Sequence, residues 1–173
     1  MTIERIINSI DATVISRLGN NPIRTQAWGL VERVVGSKGG FELGRRNPQK
    51  KDDFDLVVPT SDVDYMWFHR MEFVRNIERT RNYGRRHLLS DSEYHNVCVV
   101  TAKATQTTTA ELHNLVSTAI ANTQLCTLNN ASLDSLSVAR QELNLSNMKV
   151  SAELIVISIN YYITIIGDEC NNC

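Results

Sequence analysis

The sequence predicts an α+β domain with an N-terminal helix, a largely antiparallel sheet of about five to six strands, and two helices before a long C-terminal strand. Three observations carry that expectation. Residues 2–18 repeat Ile3, Ile6, Ile7, Ile10, Val14, Ile15 and Leu18 at three- and four-residue spacing, the period of one helical face. Short apolar runs rich in β-branched and aromatic residues, separated by Gly, Pro and Asn, then continue as far as Ala102. Helical periodicity returns after Thr105, and an isoleucine-rich segment, Val150 to Ile166, follows it. Grouped rather than alternating strands and helices define the class.

Each element has its own justification. The first helix stops at Gly19-Asn20-Asn21-Pro22. Ala27 to Val35 reads as a strand, Gly36 to Gly40 as a turn, and Phe41-Glu42-Leu43 as the start of a returning strand. Gly44 to Asp53 is polar and charged enough to predict an exposed loop, carrying Arg45, Arg46, Lys50 and Lys51. Phe54 to Val58 and Val63 to Ile77 make two more strands. In the second, Val63, Tyr65, Trp67 and His69 share one face, and Asp64, Met66, Phe68 and Arg70 share the other. Both faces are partly apolar, which predicts a strand covered on both sides. Asn82-Tyr83-Gly84 marks a turn, Ser90 to Glu93 a polar link, and Tyr94 to Ala102 a fifth strand.

Thr108-x-x-Glu111 has the form of a capping box, ahead of a helix whose face is Leu112, Leu115, Val116, Ala119 and Ile120. A second helix is predicted over Leu133 to Leu143. Val150 to Ile166, fully extended, would span about 55 Å. A strand that long must bend, project, or pair with a neighbouring subunit.

At 173 residues the chain suits a single domain over 1–173, with 168–173 expected as a flexible tail. Net charge is −1, which argues against a generic polyanion binder, yet the charge is unevenly placed. Residues 1–103 hold 16 Lys/Arg against 13 Asp/Glu, and residues 104–173 hold 2 against 6. Between Tyr65 and His87, Arg70, Arg75, Arg79, Arg81, Arg85 and Arg86 face only Glu72 and Glu78. Arginine forks suit carboxylates and phosphates, so this tract and the Arg45–Lys51 stretch are the candidate contacts, to an acidic protein or to DNA. Arginines that merely guard an edge strand are the plainer alternative.

Met1 to Arg5 leads into an amphipathic pattern interrupted by Asp11, which predicts no signal peptide. Nor does any apolar run approach the ~20 residues that span a bilayer. No membrane partner is expected.

Catalytic signatures are weak. Glu42 and Asp55 have the look of metal-holding carboxylates of restriction-type nucleases, but the carboxylate and lysine two residues apart that such sites need are missing. His69, His87, His95 and His113 have no ligand spacing, and no nucleotide-binding glycine loop exists. Only Cys170 and Cys173 are spaced as zinc ligands, while Cys98 and Cys126 stand far apart, and Cys98 reads as a small core residue. No catalytic residue, metal or cofactor is expected. A divergent nuclease and a cellular adaptor domain are the alternatives to a structural role.

In layout the chain resembles the tail-terminator and neck-ring proteins of tailed bacteriophages, through its amphipathic first helix, run of strands, paired-helix segment and isoleucine-rich closing strand. The blocks DFDLVVP and ERTRNYGRRH are similar to virion ring proteins of crAss-like phages. The resemblance implies a structural virion protein, a homo-oligomeric ring around the DNA channel of the neck or tail top. It would be assembled in the host cytoplasm, with portal-side and tail-side virion proteins as partners and possible non-specific contact with packaged DNA.

Overall fold

The computed structural model describes residues 2–18, 24–35, 40–47, 53–57, 63–83, 85–132 and 153–166, with the backbone alone at 78–83, 85–90 and 130–132. Helix α1 (Ile3–Leu18) places Ile6, Ile7, Ile10 and Val14 in the core, as its period requires, together with one carboxylate, Asp11. Full burial of each aliphatic side chain stabilises by about 2 kcal/mol. Seven strands follow the order β3-β2-β1-β4-β5-β7-β6 in one mixed sheet. They are β1 (Thr25–Val35), β2 (Phe41–Arg46), β3 (Phe54–Leu56), β4 (Tyr65–Tyr83), β5 (Arg85–Lys103), β6 (Cys126–Ser132) and β7 (Leu154–Ile165). β1 and β4 run parallel, and the other neighbours are antiparallel. The class is α+β, with an N-terminal helix and a late strand, β7, as the sequence implies.

Both described helices lie on one face. α1 and α2 (Thr109–Ala121) pack with Trp67, Cys98, Val100, Ile157, Ile159, Tyr161 and Ile163. The opposite face carries a smaller cluster of Val31, Leu43, Phe68, Val97, Val99 and Val156, with Trp28 and Val57 against it. β4 is therefore covered on both sides from Met66 to Arg70, and Trp67 and Phe68 fall on opposite faces as alternation demands. In β1 the register shifts between Ala27 and Leu30, where Gly29 has φ +67°. The shift sends both Ala27 and Leu30 to the helix side and Trp28 and Val31 to the other. A side chain at 29 would strain that backbone.

Several boundaries differ from expectation. β2 does not end at Leu43: Gly44, Arg45 and Arg46 pair with Leu56, Asp55 and Phe54. Gly44 permits this, since a Cβ there would sit 2.9 Å from Phe54 Cβ. Ser90 to Glu93 is not a link, because β5 runs unbroken from Arg85 to Lys103. β4 likewise runs past Ile77 to Tyr83, so the two form one long hairpin. β7 pairs with β5 along its length and with β6 from Ser158 to Ile163. The capping box at Thr108 and Glu111 is present in both directions. The predicted helix Leu133–Leu143, the turn at 36–39, Gly84 and the tail 168–173 lie outside the described residues.

Candidate functional site

The feature that stands apart from the compact sheet is the far end of the β4–β5 hairpin. β1 accompanies β4 only to Arg70, opposite Val31, and β7 accompanies β5 only to Ser92, opposite Ile165. From Ile77 opposite Asp91 to Tyr83 opposite Arg85, the two strands pair only with each other among the described residues. Seven residues of strand at ~3.4 Å each give this ribbon a reach of about 24 Å. Its root is marked by an irregularity: Met71 lies opposite Asn96 and Phe73 opposite His95, leaving Glu72 as an extra residue. Met71, Phe73 and Val74 are all exposed there, Phe73 by 53%. Phe73 stacks on His95 at 4.2 Å between ring centroids, and His95 approaches Glu93 Oε1 at 2.6 Å. Tyr162 completes the group, 5.7 Å from the His95 ring.

The arginines singled out by sequence do not form one patch. Arg70 is 9% exposed and donates to Glu72 at 3.3 Å, so it braces the root of the ribbon from within. Arg75 is exposed on β4, and Arg79, Arg81, Arg85 and Arg86 lie along the ribbon. Arg45 and Arg46 sit on β2, with β1 between them and β4. Arg46 pairs with Glu32 at 3.4 Å and lies 5.9 Å from the Phe54 ring centre. Both line an open cleft of about 370 Å³ with Glu4, Asn8 and Glu32. Lys50 and Lys51 lie outside the described residues.

A buried polar cluster escaped the sequence reading. Asp11 Oδ1 accepts from Trp67 Nε1 at 2.7 Å and from His69 Nε2 at 3.0 Å. His69 Nδ1 meets the Tyr161 hydroxyl at 2.8 Å. Complete burial opposes the charged imidazole, but the neighbouring Cys98 sulfur and the Asp11 carboxylate outweigh it and raise the His69 pKa from 6.5 to about 10. Burial pushes the Tyr161 hydroxyl well above its usual range. Cys98, His69 and Asp11 are the residue types of a thiol nucleophile with its base and orienting acid. Here, however, Cys98 Sγ lies 3.9 Å from the same ring nitrogen that Asp11 occupies. Cys98 and His69 are also fully buried. An activated thiol needs the base nitrogen free and a route for substrate, so the cluster serves to clamp α1 to the sheet. The signal was in the sequence: Asp11 stands one turn from Ile7 on an apolar face, where a carboxylate must find buried donors.

The two carboxylates considered for a nuclease are held apart. Asp55 faces Arg45 across the β2–β3 pair, and Gly44 faces Leu56. Glu42 shares the side of Gly44, so it and Asp55 fall on opposite sides of the sheet. Among the described residues no three His, Cys, Asp or Glu are grouped to hold a metal ion, and no helix is long and apolar enough to cross a membrane. Cys170 and Cys173 lie outside them. No known protein family and no curated protein gives a significant match to the chain.

Proposed function

We propose that the chain is a structural virion protein that forms a homo-oligomeric ring at the phage neck or tail top and joins portal-side to tail-side proteins around the DNA channel. The observation that carries this reading is the β4–β5 ribbon. A two-stranded ribbon is marginal by itself in water, and its edges, unpaired among the described residues, are templates for pairing. Such an element is kept where a neighbouring surface completes it. Met71 and Val74, exposed at its root on the side away from Phe73, add an apolar contact that a second copy would cover. One projecting arm and one receiving surface per subunit make a head-to-tail contact, which closes into a ring when the rotation allows. The layout resemblance to neck and tail-terminator subunits supplies the biological setting.

The test compares wild type with a variant in which residues 78–90 are replaced by Asn-Gly, a two-residue turn suited to joining Ile77 to Asp91. Native mass over a concentration series and negative-stain images should show closed rings for wild type and monomers for the folded, shortened variant. Equal assembly of the two would overturn the role of the ribbon, and a wild type that stays monomeric even with portal-side or tail-side proteins would overturn the ring.

A further inference from the structure

We infer that one side of the β4–β5 ribbon is a nucleic-acid-binding surface, recognising the phosphodiester backbone and stacking on its bases. This goes beyond the ring reading and does not require it. From Phe73 to Tyr83 the register is unbroken: Arg75 opposes Glu93, Arg79 opposes Leu89, Arg81 opposes His87 and Tyr83 opposes Arg85. Residues directly opposite in an antiparallel pair share a side, and so do alternate residues along each strand. Arg75, Arg79, Arg81 and Arg85 therefore all fall on one side of the ribbon. The positions on the other side include one cation, Arg86, and one anion, Glu78. A chain of net charge −1 thus gathers four of its arginines on a single narrow surface.

The opposing charges on that side are already engaged. Glu93 is held by His95, and Asp91 is buried at 3% exposure. The side is fixed by Phe73, whose stacking on His95 joins it to the face of Val97 and Val99, opposite α1 and α2. Phe73 is half exposed, so an aromatic surface stands at the root of a row of cations. Cations that track a backbone beside an aromatic platform are the combination that single strands need. A two-stranded ribbon is also an element that the major groove of a duplex admits. An acidic protein would use the cations but would leave the aromatic platform without a role, which favours nucleic acid.

The experiment measures binding of the full chain to a labelled random-sequence duplex and to an oligothymidylate of equal length, between about 50 and 200 mM salt. Replacing the four arginines together (Arg75→Gln, Arg79→Gln, Arg81→Gln, Arg85→Gln) should lower the slope of log K against log salt by about 3. The corresponding Arg→Lys set should keep the slope, because the cations remain, and this set guards against a variant that fails to fold. Arg86→Gln should leave the slope within one of wild type. Phe73→Leu separates the two sources: a loss of about tenfold on oligothymidylate marks a single strand stacked on the ring, and unchanged binding of both probes marks a duplex held through its phosphates. No binding of either probe by wild type overturns the inference, as does an Arg86→Gln loss as large as that of the four together. Loss of self-assembly in the fourfold variant, with no nucleic-acid binding by wild type, assigns the surface to protein contact instead. Rings in nucleic-acid-free buffer test the ring reading alone, so the two can fail separately.

Discussion

Asp11 and Trp67, 56 residues apart in the chain, are joined by a 2.7 Å hydrogen bond that fixes the first helix to the central strand. The same carboxylate oxygen also receives His69. One acceptor therefore satisfies two buried donors that have no water to turn to.

Asp11→Ala should lower the unfolding free energy by about 3 kcal/mol, because it strands the indole N–H and one imidazole N–H in the core. Asp11→Asn retains an acceptor and should cost less. Urea unfolding followed by tryptophan fluorescence would show the midpoint falling at unchanged slope. A loss below about 0.5 kcal/mol, typical of a surface change, would show that the hydrogen bonds contribute little.

The His69 pKa of about 10 lies above its unfolded value of 6.5, so the folded state holds the proton more tightly. That stabilisation is complete below pH 6.5, declines as pH rises, and is gone above about pH 10. Stability should fall with a slope approaching about 1.4 kcal/mol per pH unit inside that window. Denaturant midpoints of wild type and His69→Gln across the window test this, and the variant should lose most of the slope.

Thr108 accepts from the Glu111 amide at 3.3 Å, and Glu111 returns a 2.9 Å bond to the Thr108 amide. The Thr108 amide, and after it the Thr108 hydroxyl, donate to the Glu111 carboxylate and hold that carboxyl below its usual range. Thr108→Ala should cost about 1 kcal/mol. Amide exchange in the first turn of α2 should quicken while the β5–β7 amides stay protected.

Gly44→Val should unzip the end of the sheet, because its Cβ would meet Phe54 Cβ at 2.9 Å. Faster amide exchange at Arg46 and Leu56, with the α1 core unchanged, is the expected result. Gly40→Val, where a Cβ meets nothing within 4 Å, is the control.

Much of the fold was legible because burial imposes a period. The α1 face, the opposed sides of Trp67 and Phe68, the core setting of Cys98 and the capping box all follow from residue spacing. The errors fall where burial on one side ceases to discipline the pattern. Arg45 and Arg46 look like loop residues, yet they are exposed strand positions on a sheet edge that needs no apolar partner there. Ser90 and Ser92 read as a linker, because β7 ends its pairing at Ser92 and no apolar alternation marks the strand from there on. The parallel pairing of β1 with β4 skips two intervening strands, which no local pattern encodes. For the candidate site, the arginines were visible as a run. Their gathering on one side was not, because it depends on an unbroken register and on the extra residue ahead of it.

That extra residue, Glu72, sets the parity of everything after it. Counting by twos from Trp67 and His69 would assign Phe73 and Arg75 to the helix side, whereas Phe73 opposite His95 belongs to the other. Deleting Glu72 would only restore plain alternation, whereas a one-residue deletion between Phe73 and Arg75, with Phe73 still opposite His95, would carry Arg75, Arg79 and Arg81 to the other side without altering a single arginine. A length change at that point is thus a change of partner, and among related chains it would separate groups that composition alone would merge.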